Sequence, residues 1–168
     1  MDIGYRRGDL LAGDVRVICH GCNAQGKMGS GVARAVRERY PRAWEAYDAT
    51  RRASGLRVGQ VSWAACGPGR AVANAVTQEF YGDAARTGRV YVDYEAVRRC
   101  VAILDAAAGG GARDAFGEEI GPFDEVGFPL IGAGLAGGSW RRISGIIEEG
   151  ARAFRPVVYV LDGVVPTT

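Results

Sequence analysis

The chain contains a single histidine, His20, in the run Cys19-His20-Gly21-Cys22-Asn23. An imidazole titrates near neutral pH, so His20 can serve as a general acid or base; at a strand end it equally suits a hydrogen bond to the backbone. The C-x-x-C spacing of Cys19 and Cys22 raises two other chemistries. A redox dithiol opens a helix, whose dipole lowers the thiol pKa, whereas this pair spans a strand end. A structural zinc site wants four ligands, and Cys66 and Cys100 stand isolated from the pair. No metal and no cofactor is expected; Cys19 reads as a core residue and Cys22 as a small loop residue.

Glycine offers a different chemistry. The chain has 26 glycines against 6 prolines, concentrated in GKMGSG (26–31), GGG (109–111) and IGAGLAGG (131–138). The first and third follow apolar runs and feed helical patterns. Glycine permits positive φ and brings backbone N–H groups close to a ligand. A helix N-terminus adds partial positive charge, so such a loop suits a phosphate or diphosphate. One such loop alone reads as a tight turn; two at equivalent ends of two strands point to a ligand held between them. Neither is a phosphate-loop ATPase motif, because G-x-x-x-x-G-K-[ST] is absent. Gly132, Gly134 and Gly137 spell a literal G-x-G-x-x-G, but too late in the chain for a dinucleotide-binding unit to follow.

These loops need elements to hold them. Apolar runs predict strands over 15–19, 58–64, 71–76, 125–130 and 156–161. Helical spacing predicts helices over 30–39, 41–54 with Pro41 in the first turn, 94–108 behind the N-cap Asp93, and 139–154. Segments 77–89 and 113–124 read as loops, the latter exposed. Strands alternating with helices argue for a layered α/β fold with a largely parallel or mixed sheet, whose ligands bind beyond the strands' carboxyl ends. The 168 residues fit one domain, 1–168, with no internal repeat or linker.

Composition narrows the function. A formal net charge of +2 lacks the basic excess of a nonspecific nucleic-acid binder, and the arginines over 34–42 and 51–57 read as solvated helix faces. No segment approaches the roughly 20 apolar residues of a membrane span. The N-terminal run has no signal-peptide core, so a cytoplasmic protein with reduced thiols is expected.

Gly8-Asp9-Leu10, His20-Gly21-Cys22-Asn23, Met28-Gly29-Ser30-Gly31-Val32-Ala33 and the run from Ile131 through Trp140 occur in an order and spacing that resemble a macrodomain over nearly the whole chain. The branch it resembles most holds ADP-ribose-1″-phosphate phosphatases and ADP-ribosyl hydrolases. The resemblance implies a three-layer α/β/α fold around a mixed, about six-stranded sheet, with ADP-ribose as ligand. By position, Asp9 beside Leu10 accepts from the adenine amino group, a suitable task for a carboxylate. Asn23 bonds the distal ribose; Gly29, Ser30, Gly31 and Val32, preceded by Met28, flank that ribose and the diphosphate. Ile131, Gly132, Ala133, Gly134, Leu135 and Ala136 cradle the diphosphate through backbone N–H groups. Thr77, Gln78 and Tyr81 line the mouth, with Gln78 orienting a water or binding a ribose hydroxyl.

A catalytic set of His20, Asn23 and Gln78 follows, hydrolysing ADP-ribose-1″-phosphate, an acyl-ADP-ribose or an ADP-ribosylated macromolecule. The lysine-adduct route of some relatives is not implied: Ala136 stands where they carry aspartate, 74–82 contains no lysine, and Lys27, in the first loop, does not match their nucleophile and reads as a solvated cation near a phosphate. The alternatives are a non-catalytic ADP-ribose reader and a pocket for another nucleotide. The expected partner is ADP-ribose or an ADP-ribosylated substrate, with nucleic acid engaged only if ADP-ribosylated, no membrane, and the chain a monomer.

Overall fold

A computed structural model describes residues 1–167. Six strands form one sheet in the order β1-β8-β7-β2-β4-β3. They are β1 (Gly4–Arg7), β2 (Val17–Asn23), β3 (Val61–Ala65), β4 (Ala71–Gln78), β7 (Glu125–Phe128) and β8 (Arg155–Val160). All neighbours run parallel except β3, which pairs antiparallel with β4. The carboxyl ends of β1, β8, β7, β2 and β4 therefore lie along one edge of the sheet, where open α/β sheets place their ligands.

Alternation along the central strands feeds two cores. One face carries Val17, Cys19, Ala73, Val126 and Val158 against Val97, Val101 and Leu104 of α4 (Tyr94–Ala108) and Ile143 and Ile147 of α5 (Trp140–Gly150). The other carries Ile18, Val72 and Val157 against Val36 of α1 (Gly31–Arg39) and Ala43 and Ala46 of α2 (Pro41–Ser54). Helices on both faces of a mixed six-stranded sheet make the expected three-layer α/β/α arrangement. Among the described residues, no helix is long and apolar enough to cross a membrane.

Besides ends that shift by a few residues, β3 (Val61–Ala65) starting after the expected 58 and α5 (Trp140–Gly150) stopping short of 154, the elements differ from the sequence reading at four places. β1 went unread because Gly4-Tyr5-Arg6-Arg7 has no apolar pattern; it is an edge strand, mostly exposed, whose backbone pairs with β8. β2 runs past residue 19 to Asn23, since Gly21 through Asn23 keep their pairing with β4. β4 likewise takes in Thr77 and Gln78, and the rest of the expected 77–89 loop contains the short helix α3 (Ala84–Thr87). The 113–124 segment closes a small hairpin, β5 (Ala112–Arg113) with β6 (Glu119–Ile120). Asp114, 6% exposed, ties this hairpin down by accepting from the N–H groups of Phe116, Glu118 and Ala65.

Candidate functional site

A cleft of about 1050 Å³ opens along the carboxyl edge of the sheet. That volume suits a ligand larger than a mononucleotide. Its length follows the strand order, so each end has its own chemistry.

At the β1–β8 end stand Asp9, Leu10, Leu161 and Asp162. One carboxylate oxygen of Asp9 accepts from Leu11 N at 2.9 Å, capping the 3-10 turn Leu10–Ala12. The other is free to face a ligand donor. Leu161 is 77% exposed while lining the cleft, a bare aliphatic face at this end.

The middle is formed by the two glycine loops. Gly29, Ser30, Gly31 and Val32 line one wall, and Ile131, Gly132, Gly134, Leu135 and Ala136 the other. Gly31 sits at φ +58°, a conformation that L side chains enter at a cost, and so turns the chain into α1. Ser30 precedes α1 without making a side-chain cap, so the first-turn N–H groups stay available to an anion. The second loop differs. Ser139 caps α5 itself, accepting from Arg142 N at 3.3 Å, and residues 137–139 do not line the cleft. Only the loop ahead of α5 faces the ligand space, so the second wall contributes loop backbone rather than a helix end. A Cβ added at Gly134 or Gly29 meets nothing within 4 Å, whereas one at Gly132 comes within 2.8 Å of Val92 Cγ2.

At the β2–β4 end the cleft is lined by Gly21, Asn23, Lys27, Gln78 and Tyr81. Asn23 organises its own loop: Oδ1 accepts from Gln25 N at 3.0 Å and Lys27 N at 3.3 Å, and Nδ2 donates to Lys27 O at 2.8 Å. The Tyr47 hydroxyl donates to Asn23 O at 2.6 Å from beneath. One N–H of the Asn23 amide remains for a ligand. Gln78 Nε2 donates to Phe80 O at 2.8 Å, leaving its carbonyl and second N–H unused by the protein.

Four expected site residues stand off the cleft. His20 is fully buried and does not line it, which corrects its reading as the catalytic acid or base. Alternation along β2 turns His20 toward the α1–α2 layer. There Nε2 donates to Asn74 Oδ1 at 2.7 Å, an orientation fixed by Asn74 Nδ2 donating to Ala43 O at 3.0 Å. Burial pushes the imidazole down to about 4, only partly opposed by the Asn74 bond, so the ring is neutral at pH 7 and structural. Met28, 1% exposed, packs with Cys22 and Tyr47 instead of touching the cleft. Ala133 faces away from it, against the α4–α5 core. Thr77 is fully enclosed and also does not line it. Cys22 was expected in a loop; it is a strand residue whose thiol burial pushes well above the ordinary range, with Sγ 3.6 Å from His20 Nε2.

Lys27, read as a solvated cation, lines the cleft, and sequence reading missed Tyr159, Val160, Leu161 and Asp162 as lining residues. The signal for the last group was present: the final strand was legible, and its carboxyl end had to share the edge with the others if it ran parallel.

The chain matches no family model and no curated protein. Solved structures do match. A macrodomain protein from Streptomyces coelicolor is 30% identical, with a TM-score of 0.70 over 95% of this chain and 99% of that one. A protein of unknown function from Bacteroides thetaiotaomicron is 28% identical, with a TM-score of 0.77 over 95% of this chain and 98% of that one. A variant macrodomain of Oceanobacillus iheyensis with ADPR shares the fold at 17% identity, with a TM-score of 0.63 over 92% of this chain and 82% of that one.

Proposed function

The chain belongs to the macrodomain family, and from that membership we propose that its cleft binds ADP-ribose, with adenine at the β1–β8 end and the distal ribose at the β2–β4 end. The observation that carries this reading is the pair of facing loops with bare backbone: the uncapped start of α1 on one wall and Gly132 through Ala136 on the other. A diphosphate needs many N–H donors at close range, and glycine removes the side chains that would hold it away. The free oxygen of Asp9 suits the adenine amino group, and Leu161 suits the face of the base.

Calorimetric titration with ADP-ribose tests it. The wild type should bind one equivalent, and Gly134→Glu, whose side chain enters open space and brings a carboxylate to the diphosphate, should lose binding without losing thermal stability. No heat from the wild type sinks the reading.

Hydrolysis of a distal-ribose derivative is the second reading. What favours it is Gln78, whose spare amide groups face the β2–β4 end and can orient a water. With His20 enclosed, no imidazole assists, and both lining carboxylates, Asp9 and Asp162, stand at the opposite end. A reader that binds without turnover is therefore the plainer form of the proposal. Release of phosphate from ADP-ribose-1″-phosphate, lost in Gln78→Ala, would establish the hydrolase; intact ligand after prolonged incubation would leave the reader.

A further inference from the structure

The parts of the proposed ligand follow the order of the strands. Along the cleft the sheet runs β1, β8, β7, β2, β4. Asp9 comes just after β1, the loop 131–136 just after β7, and Asn23 ends β2. The end of β8 lies between those of β1 and β7, about 5 Å from each neighbouring strand. A ligand with its base at β1 and its diphosphate beside the β7 loop brings the ribose that joins them to the end of β8. The cleft is lined there by Tyr159, Val160, Leu161 and Asp162.

Asp162 is held at that place by its own turn. Gly8 N donates to Val160 O at 3.0 Å, so the β1–β8 pairing continues past both strands and sets Asp9 beside the turn. Gly163 N closes the turn on Val160 O at 3.2 Å, with Gly163 at φ +76°. One oxygen of Asp162 accepts from Val164 N at 2.8 Å. The other, like the second oxygen of Asp9, accepts nothing from the protein among the described residues. Neither carboxylate forms an ion pair among those residues. Arg7 lays its stem beside Gly163, 3.3 Å from where a Cβ would stand, but it does not line the cleft. The one cation that does, Lys27, belongs to the β2–β4 end.

Ionised carboxylates only accept hydrogen bonds. Asp9 suits the adenine amino group, and Asp162 suits a ribose hydroxyl. Both repel an anion, and a phosphate on that ribose would bring about −1.5 to −2 charge with no cation to meet it. The same opposition operates in dinucleotide sites, where a carboxylate takes the free 2′-hydroxyl and an arginine is needed for the 2′-phosphate. We infer that Asp162 is a specificity-determining residue, which bonds the hydroxyls of the ribose next to the base and turns away ligands phosphorylated there. The inference rests on the ADP-ribose reading, which sets the base at the β1–β8 end. It deepens that reading by naming the class selected: ADP-ribose of the kind that reactions consuming NAD release, against the 2′-phosphorylated form that NADP would supply.

The test is calorimetry with ADP-ribose and with ADP-ribose-2′-phosphate at two salt concentrations, on the wild type, Asp162→Asn and Asp162→Arg. Asparagine keeps an acceptor for Val164 N and removes only the charge, so the turn is retained. The wild type should prefer unphosphorylated ADP-ribose about tenfold. Asp162→Asn should narrow that preference about fivefold, as befits one solvent-exposed charge interaction. Asp162→Arg should narrow it further or reverse it. Added salt should narrow it in the wild type more than in Asp162→Asn. Equal affinity of the wild type for the two ligands overturns the inference and spares the ADP-ribose reading. A preference that Asp162→Asn leaves unchanged also overturns it, placing the exclusion elsewhere in the cleft. Failure of the wild type to bind either ligand removes the ADP-ribose reading and the inference together.

Discussion

The two glycine loops look alike in sequence and are built on opposite plans. The second is locked by apolar packing: at Gly132, Gly137 and Gly138 an added Cβ would lie within 2.8 Å of Val92 Cγ2, 2.3 Å of Ala84 Cβ and 2.5 Å of Val92 Cγ1. Its helix is capped by its own Ser139. The first loop is held by polar side chains. Asn23 and Tyr47 tie it from within, and His20 and Asn74 lie below it in β2 and β4. Its helix has no side-chain cap, and its Lys27, Gly29 and Ser30 are exposed. Glycine in the second loop thus mostly serves packing, with Gly134 the exception; in the first, Gly29 stands open, while Gly26 at φ +79° against the Arg51 stem and Gly31 at φ +58° make the turn. A wall set by packing thus faces one whose first-turn N–H groups have no side-chain cap.

Five substitutions break or sharpen that contrast. Gly132→Ala should be the most damaging, since it places a Cβ at φ +72° and against Val92 and Ile143. Strain and overpacking together should cost roughly 4 kcal/mol by urea unfolding. A loss below 1 kcal/mol would mean the second loop is not locked as described.

The polar foundation of the first loop should fail in acid. His20 has its folded pKa lowered to about 4 from 6.5, so between those values the unfolded chain binds the extra proton. Stability from this group is then complete above pH 6.5 and is lost as pH falls toward 4, by about 3 kcal/mol at the limit. Urea unfolding from pH 7.5 to 4.5 should show a steeper decline for the wild type than for His20→Gln; equal slopes would return His20 to solvent.

The two cap serines should separate next. Ser139→Ala removes a made cap and should cost about 1 kcal/mol, while Ser30→Ala removes none and should change unliganded stability by less than about 0.3 kcal/mol. Equal losses in thermal melts would contradict an uncapped α1. The smallest stability effect belongs to Gly29→Ala, whose Cβ meets open space and should shift unfolding by no more than about 0.5 kcal/mol. Its effect should appear instead as weaker ADP-ribose binding. A destabilised protein with unchanged affinity would reverse the roles assigned to the two loops.

Much of this was legible in advance. Val126 through Phe128, Val157 through Val160 and α4 announced themselves by apolar pattern, and the motif order around Asp9, Asn23, Gly29 through Val32 and Ile131 through Ala136 placed both loop walls of the cleft. Edge strand β1 did not announce itself, because an edge strand is recognised by its partner's backbone rather than by its own side chains. His20 misled for a related reason. Its residue type and position suited catalysis, but the side it faces depends on where β2 ends, and the strand runs four residues beyond the expected terminus.

The sequence by itself determined the layered fold, the two loops and the class of ligand they suit, since those depend on periodicity and on glycine's freedom along the chain. Only the tertiary structure decided which residues line the cleft. Strand order set Asp9 and Asp162 at one end and Lys27 at the other, and the pleat of β2 turned His20 into the core. Facing direction and neighbourhood across a sheet are set by pairing partners distant in the chain, and a one-residue change of phase reverses them.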